Sequence, residues 1–186
     1  ENGVDELKFA RHLDGLIAAE GSSATFECEL ASGSSDAVWT KNGKPVDESR
    51  ATASVSGRTY SLTIDEVSAE DAGQYAVQIG DVASVACLAL DGSDIPLSRL
   101  PSSVSASEGD ATRFVLELTD AEAYTVQWFR GAEKLEKSDR VKSVKQGNTF
   151  KLDFKSVEAS DAGVYVVKVI REKKAVAKFS AALLVQ

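Results

Sequence analysis

Histidine is nearly absent from this sequence: one residue, His12, in a chain of 186. A Ser–His–Asp or Cys–His arrangement cannot be assembled without that single ring, so no catalytic residue and no enzyme is expected. His12 falls on the presumed first strand and reads as a surface residue. Cysteine is almost as scarce. Cys28 and Cys87 stand alone, and with no Cys-x-x-Cys there is no zinc-ligand spacing. No Gly-x-Gly-x-x-Gly or phosphate loop occurs, so no cofactor or small-molecule substrate is expected. The acidic pairs Asp65-Glu66 and Glu70-Asp71 read as solvated turn charges rather than a calcium site. No Asn-x-Ser/Thr acceptor is present. No apolar run approaches the roughly 18 residues of a membrane helix. No stretch carries an i, i+3, i+4, i+7 stripe, which excludes long helices. Nothing resembles the dense basic, aromatic-studded surface that nucleic acid needs.

What is present is enough to build cores. The chain is 43% hydrophobic and 27% charged, ordinary values for a packed protein. Its net charge of −8 is unevenly placed. Residues 1–91 carry 16 acids and 6 bases (−10), residues 92–186 carry 13 acids and 15 bases (+2), and the two sum to −8. Solvated faces account for such charge. The asymmetry also suits a molecule that stacks head to tail or meets an acidic partner through its second half. The opening stretch from Glu1 to Glu6 is acidic and polar, unlike a signal peptide, although a fragment of a longer chain would show none either.

The sequence repeats itself. Glu20-Gly21 recurs as Glu108-Gly109, Trp39 as Trp128, Arg50 as Arg140 and Tyr75 as Tyr165, at offsets of 88, 89, 90 and 90 residues. A unit of that size is a whole domain. Within each copy the period is 2, as in Ala24 to Leu30, Tyr60 to Ile64, Phe114 to Leu118 and Phe150 to Phe154. Such alternation sets one face on a core and the other in water. Asn42-Gly43, Ser56-Gly57, Gly80-Asp81 and Gln146-Gly147-Asn148 supply turns. Single helical turns are expected around Val67–Ala72 and Val157–Ala162. The pattern predicts an all-β protein of two antiparallel sandwiches in tandem, residues 1–91 and 92–186. The short polar stretch Asp91-Gly92-Ser93-Asp94 joins them and is expected to set their angle, with some hinge freedom and independent unfolding of each unit.

Asp71-Ala72-Gly73-Gln74-Tyr75 and Asp161-Ala162-Gly163-Val164-Tyr165, in register with Trp39 and Trp128, carry a family resemblance. Each unit resembles an immunoglobulin domain of the intermediate set (I-set). The resemblance implies a structural core of Cys28, Trp39, Leu62, Tyr75 and Val77 in the first unit. In the second it implies Leu116, Trp128, Leu152, Tyr165 and Val167. It further implies tyrosine corners at Tyr75 and Tyr165, and structural ion pairs Arg50–Asp71 and Arg140–Asp161, each spaced by 21 residues.

The departures from the pattern narrow it. Extracellular members bridge two sheets with a disulfide whose second cysteine falls two residues after the tyrosine. Here those places hold Val77 and Val167, and the first cysteine's place in the second unit is Leu116. Neither sandwich can make the bridge, and Cys28 becomes a small buried hydrophobe. Alternation points Cys87 away from its own core. Doing without the bridge in both units implies a reducing cytosol. Disulfide-free tandem I-set domains resemble those of giant muscle proteins of the titin, twitchin and obscurin class. The implied function is a sarcomeric spacer and protein-interaction scaffold in the cytoskeleton, a monomeric segment whose partners are other proteins. The second reading is an extracellular adhesion or receptor fragment that has lost its cysteines. The loop with Arg171, Lys173 and Lys174 is the candidate contact.

Overall fold

The computed structural model describes residues 6–186; the polar opening stretch Glu1 to Asp5, used above against a signal peptide, is outside the described residues. The first half forms β1 (Lys8–Arg11), β2 (Leu16–Ala18), β3 (Ala24–Ser32), β4 (Ala37–Lys41), β5 (Lys44–Pro45), β6 (Ala51–Ser56), β7 (Thr59–Ile64), β8 (Gly73–Ile79) and β9 (Val82–Leu90). The second forms β10 (Leu97–Arg99), β11 (Val104–Ala106), β12 (Thr112–Leu118), β13 (Thr125–Arg130), β14 (Glu133–Lys134), β15 (Val141–Gln146), β16 (Thr149–Phe154), β17 (Gly163–Arg171) and β18 (Lys174–Val185). The expected helical segments are short 3₁₀ turns, Ala69–Asp71 and Ala159–Asp161.

The strands make four sheets, ordered β1-β3-β7-β6 and β2-β9-β8-β4-β5 in the first half, β10-β12-β16-β15 and β11-β18-β17-β13-β14 in the second. Alternation produces this directly: β3 reads buried-exposed throughout and faces β7 with Phe26 opposite Leu62. Pairing is antiparallel except at the sandwich edges, where β2 runs parallel to β9 and β11 parallel to β18. Asn42 and Gly43 both adopt positive φ, the geometry a two-residue hairpin turn needs between β4 and β5.

Two aromatic-rich cores result. In the first, Phe26 packs on Tyr75 with ring centroids 4.9 Å apart. In the second, Phe114 touches Trp128, Phe154 and Tyr165 at 6.3, 6.1 and 5.2 Å. These spacings suit offset and edge-on ring contacts. Cys28, Leu62, Val77, Leu116, Leu152 and Val167 fill the space between the sheets, each buried, and both cysteines are free.

The two halves do not hang on their link. β9 and β18 pack against each other, and β9 from Ser84 to Ala89 and β18 from Phe179 to Leu183 are buried on both faces. Ser84, Ala86 and Leu88 point into the first core, while Val85, Cys87 and Ala89 point at the second half. This corrects the expectation that Asp91 to Asp94 sets the angle: the contact between the sheets sets it. Gly15 shows how close the approach is. A Cβ there would fall 2.5 Å from Leu100 Cβ and 3.0 Å from the Pro101 carbonyl oxygen, so only glycine fits.

Candidate functional site

The paired motif residues form corners rather than a reaction centre. Arg50 Nη2 lies 2.6 Å from Asp71 Oδ2, which also accepts the Ser68 N–H at 2.8 Å. Tyr75 donates its hydroxyl to the Asp71 carbonyl at 2.7 Å. In the second half Arg140 grips Asp161 with two bonds, 2.5 and 3.0 Å, and adds Glu158 at 3.3 Å. Tyr165 repeats the bond to the Asp161 carbonyl at 2.5 Å. Burial pushes both aspartates toward the neutral form. The arginine and the backbone N–H outweigh that and hold both below the usual carboxylate range. Asp71 is thus a buried anchor and not the solvated turn charge read from sequence. Gly73 and Gly163, with φ of 151° and 150°, let the chain enter β8 and β17; at Gly73 a side chain would also strike Asn42.

His12 is not a surface residue. Its Nδ1 bonds Ser84 Oγ at 2.8 Å, and its Nε2 bonds Ser105 Oγ, in the other half, at 2.7 Å. Burial pushes its pKa down to about 4, so the ring is neutral near pH 7. The ring nitrogens are both taken by serine hydroxyls from the two halves, so the group fastens the halves together. Ser103 continues the seam. Its hydroxyl accepts the Val85 and Ala182 N–H groups at 3.0 and 2.8 Å and donates to the Val85 carbonyl at 2.6 Å. Cys87 Sγ accepts the Ser180 N–H at 3.3 Å. Desolvation raises its thiol to about 11 and that of Cys28 to about 12, which keeps both protonated and unreactive.

The basic loop of the second half is a two-residue turn, with Glu172 and Lys173 at φ of 51° and 68°. Arg171 is withdrawn from it, donating to the Tyr124 hydroxyl at 3.1 Å. Lys173 and Lys174 stay exposed.

Sequence reading missed the outer face of the sheet holding β13, β17 and β18. Gln127, Lys168 and Lys178 stand in one row across it; Phe129, Val166 and Ser180 stand in the next. The row with Ser180 abuts Cys87 of the first half. Between the halves here is a cleft of about 1040 Å³. The signal for the covered part was in the sequence: Val82 to Leu90 carries no charge, the mark of a strand buried on both faces.

Comparison with known proteins follows the same division. The model of the immunoglobulin I-set domain matches residues 7–86 and again 96–185. The muscle M-line assembly protein unc-89 of Caenorhabditis elegans is 28% identical over 172 residues, covering 86% of this chain and 2% of that protein. Titin of Drosophila melanogaster is 28% identical over 153 residues, covering 81% of this chain and 1% of that protein. The chain therefore spans only a small fraction of the relatives it matches. A crystal structure of the titin domains Z1Z2 in complex with telethonin aligns over 98% of both chains at 23% identity, with a TM-score of 0.45.

Proposed function

The chain belongs to the immunoglobulin I-set family, and from that premise we propose that it is a non-catalytic structural segment of a giant sarcomeric protein, serving as spacer and protein-interaction module in the cytoplasm of muscle. The observation that carries this reading is the pairing of two sandwiches that lack the inter-sheet disulfide with relatives that are muscle giants. Val77 and Val167 are fully buried where a bridge would stand, and Cys28 is a buried thiol. Small domains that must survive outside the cell usually keep such bridges. A division after Asp91 is supported by two hydrophobic clusters, with Cys87 and Ala89 of the first half reaching into the second cluster and Leu184 of the second half packing on the first. The core residues and the Arg–Asp anchors serve stability, and binding is left to exposed edges and faces.

The reading is tested in striated muscle cells expressing the tagged chain, with capture of partners from muscle extract. Periodic striation and capture of sarcomeric proteins are expected. Diffuse staining with no specific capture would overturn the interaction role. A disulfide or glycan on the native protein would favour the extracellular alternative.

A further inference from the structure

We infer that the half of the second sandwich's outer face left uncovered by the first sandwich docks an acidic, aliphatic extended segment of a partner protein. Its carboxylates are held by Lys168 and Lys178, and its apolar side chains rest on Phe129 and Val166 at the mouth of the inter-sandwich cleft. The inference deepens the interaction-module reading by giving the partner's chemistry, and it rests on that reading.

Three observations carry it. First, Lys168 and Lys178 are direct cross-strand partners on β17 and β18. Like charges placed opposite each other cost stability. Among the described residues neither ammonium pairs with a carboxylate, although the chain as a whole carries an excess of acids. Lys168 Nζ sits instead over the Phe129 ring, 4.4 Å from its centroid. An anion between the two lysines removes the repulsion and makes charge-assisted hydrogen bonds.

Second, among the described residues these lysines are the only charged ones lining the cleft, and apart from Asn42 and Gln74 the rest of the wall is small or apolar. Ala69, Ala72, Gly73, Ala89, Gly131 and Ala132 leave room for a backbone to come close. Two cations beside an apolar wall, on a molecule of net charge −8, suit an acidic peptide. They do not suit nucleic acid, whose binding depends on many phosphate contacts.

Third, the surface continues an interface already made. Ser180, Ala182 and Leu184 of the same strand face the first sandwich, and Ser180 and Ala182 bond to it or to its partner Ser103. Lys178 is the next outward residue, where that cover stops.

The test uses the full chain, isotope-labelled, with the peptides (Leu-Glu)₄ and (Leu-Lys)₄ as probes. The acidic peptide is expected to shift the amide signals of residues 127–129, 166–168 and 177–180, and the basic peptide to leave them unmoved. Lys168→Glu and Lys178→Glu, tested singly, should each weaken acidic-peptide binding at least tenfold. Each should leave the melting temperature of the free chain level or raised, because a like-charge pair becomes an ion pair. Equal response to both peptides, no response to the acidic one, or concentration-dependent dimerisation through this face would overturn the inference. Failure here leaves the sarcomeric reading untouched, since that is decided by striation and capture in muscle.

Discussion

Asp161 and Asp71 occupy equivalent corners but are not equally held. Asp161 receives two bonds from one guanidinium, and Asp71 receives one from an arginine whose side chain is 41% exposed. Solvent screens the second pair more strongly. Asp161→Asn should therefore destabilise its sandwich more than Asp71→Asn, as urea midpoints will show. Both folded-state pKa values are depressed, so the stabilisation is fully present above the unfolded-chain value of about 3.9. It is lost as pH falls through the lower folded value, and the gap between Asp161→Asn and the parent should close there. His12 works at a higher pH. Its folded pKa of about 4 is below the ordinary 6.5, so between those values the unfolded chain binds a proton that the folded chain refuses. The His12 contribution should make stability decline as pH drops from about 6.5 to 4 and add no further loss below that; His12→Gln should flatten this limb in pH-dependent denaturation. The aromatic anchors matter most in size: Trp39→Ala or Trp128→Ala should cost about 3–5 kcal/mol.

Strands were legible where their two faces differ. The period of 2 in β3, β7, β12 and β16 announces one wet face and one dry face. The 21-residue spacing of arginine and aspartate foreshadows contacts that the geometry then supplies. β9 and the end of β18 were harder, because a strand dry on both faces has no alternation to read. The lysine pair was hidden for another reason. Facing Lys168 to Lys178 requires the register of a hairpin that carries a bulge between Val169 and Ile170, and no local spacing reveals it. His12 was misread because its partners are 72 and 93 residues away. At this scale the seam is testable through Gly15→Val. The added side chain has no room beside Leu100 and Pro101, so it should part β9 from β18 and leave each core intact. Small-angle scattering should report a larger radius of gyration with unchanged circular dichroism.

At the scale of the molecule, the shared seam should make the two sandwiches behave as a coupled pair rather than two independent beads. Calorimetry of the parent chain should give one transition, and Gly15→Val should divide it in two; separate transitions in the parent would mean that the seam contributes little. The charge imbalance, −10 against +2, adds a long-range attraction between the halves that salt should weaken. The parallel pairing at the sandwich edges has a further consequence under tension. Because β2 and β9 run in the same direction, a pull on the start of β2 and on the end of β9 acts along both strands in opposed senses. The pairs Leu16–Leu88, Ile17–Ala89 and Ala18–Leu90 are then sheared together and cannot be unzipped one after another. β11 and β18 repeat the arrangement. The seam is tied into the second of these clamps, because the His12 ring bonds Ser105 of β11, so a stretched chain would load the seam and that clamp together.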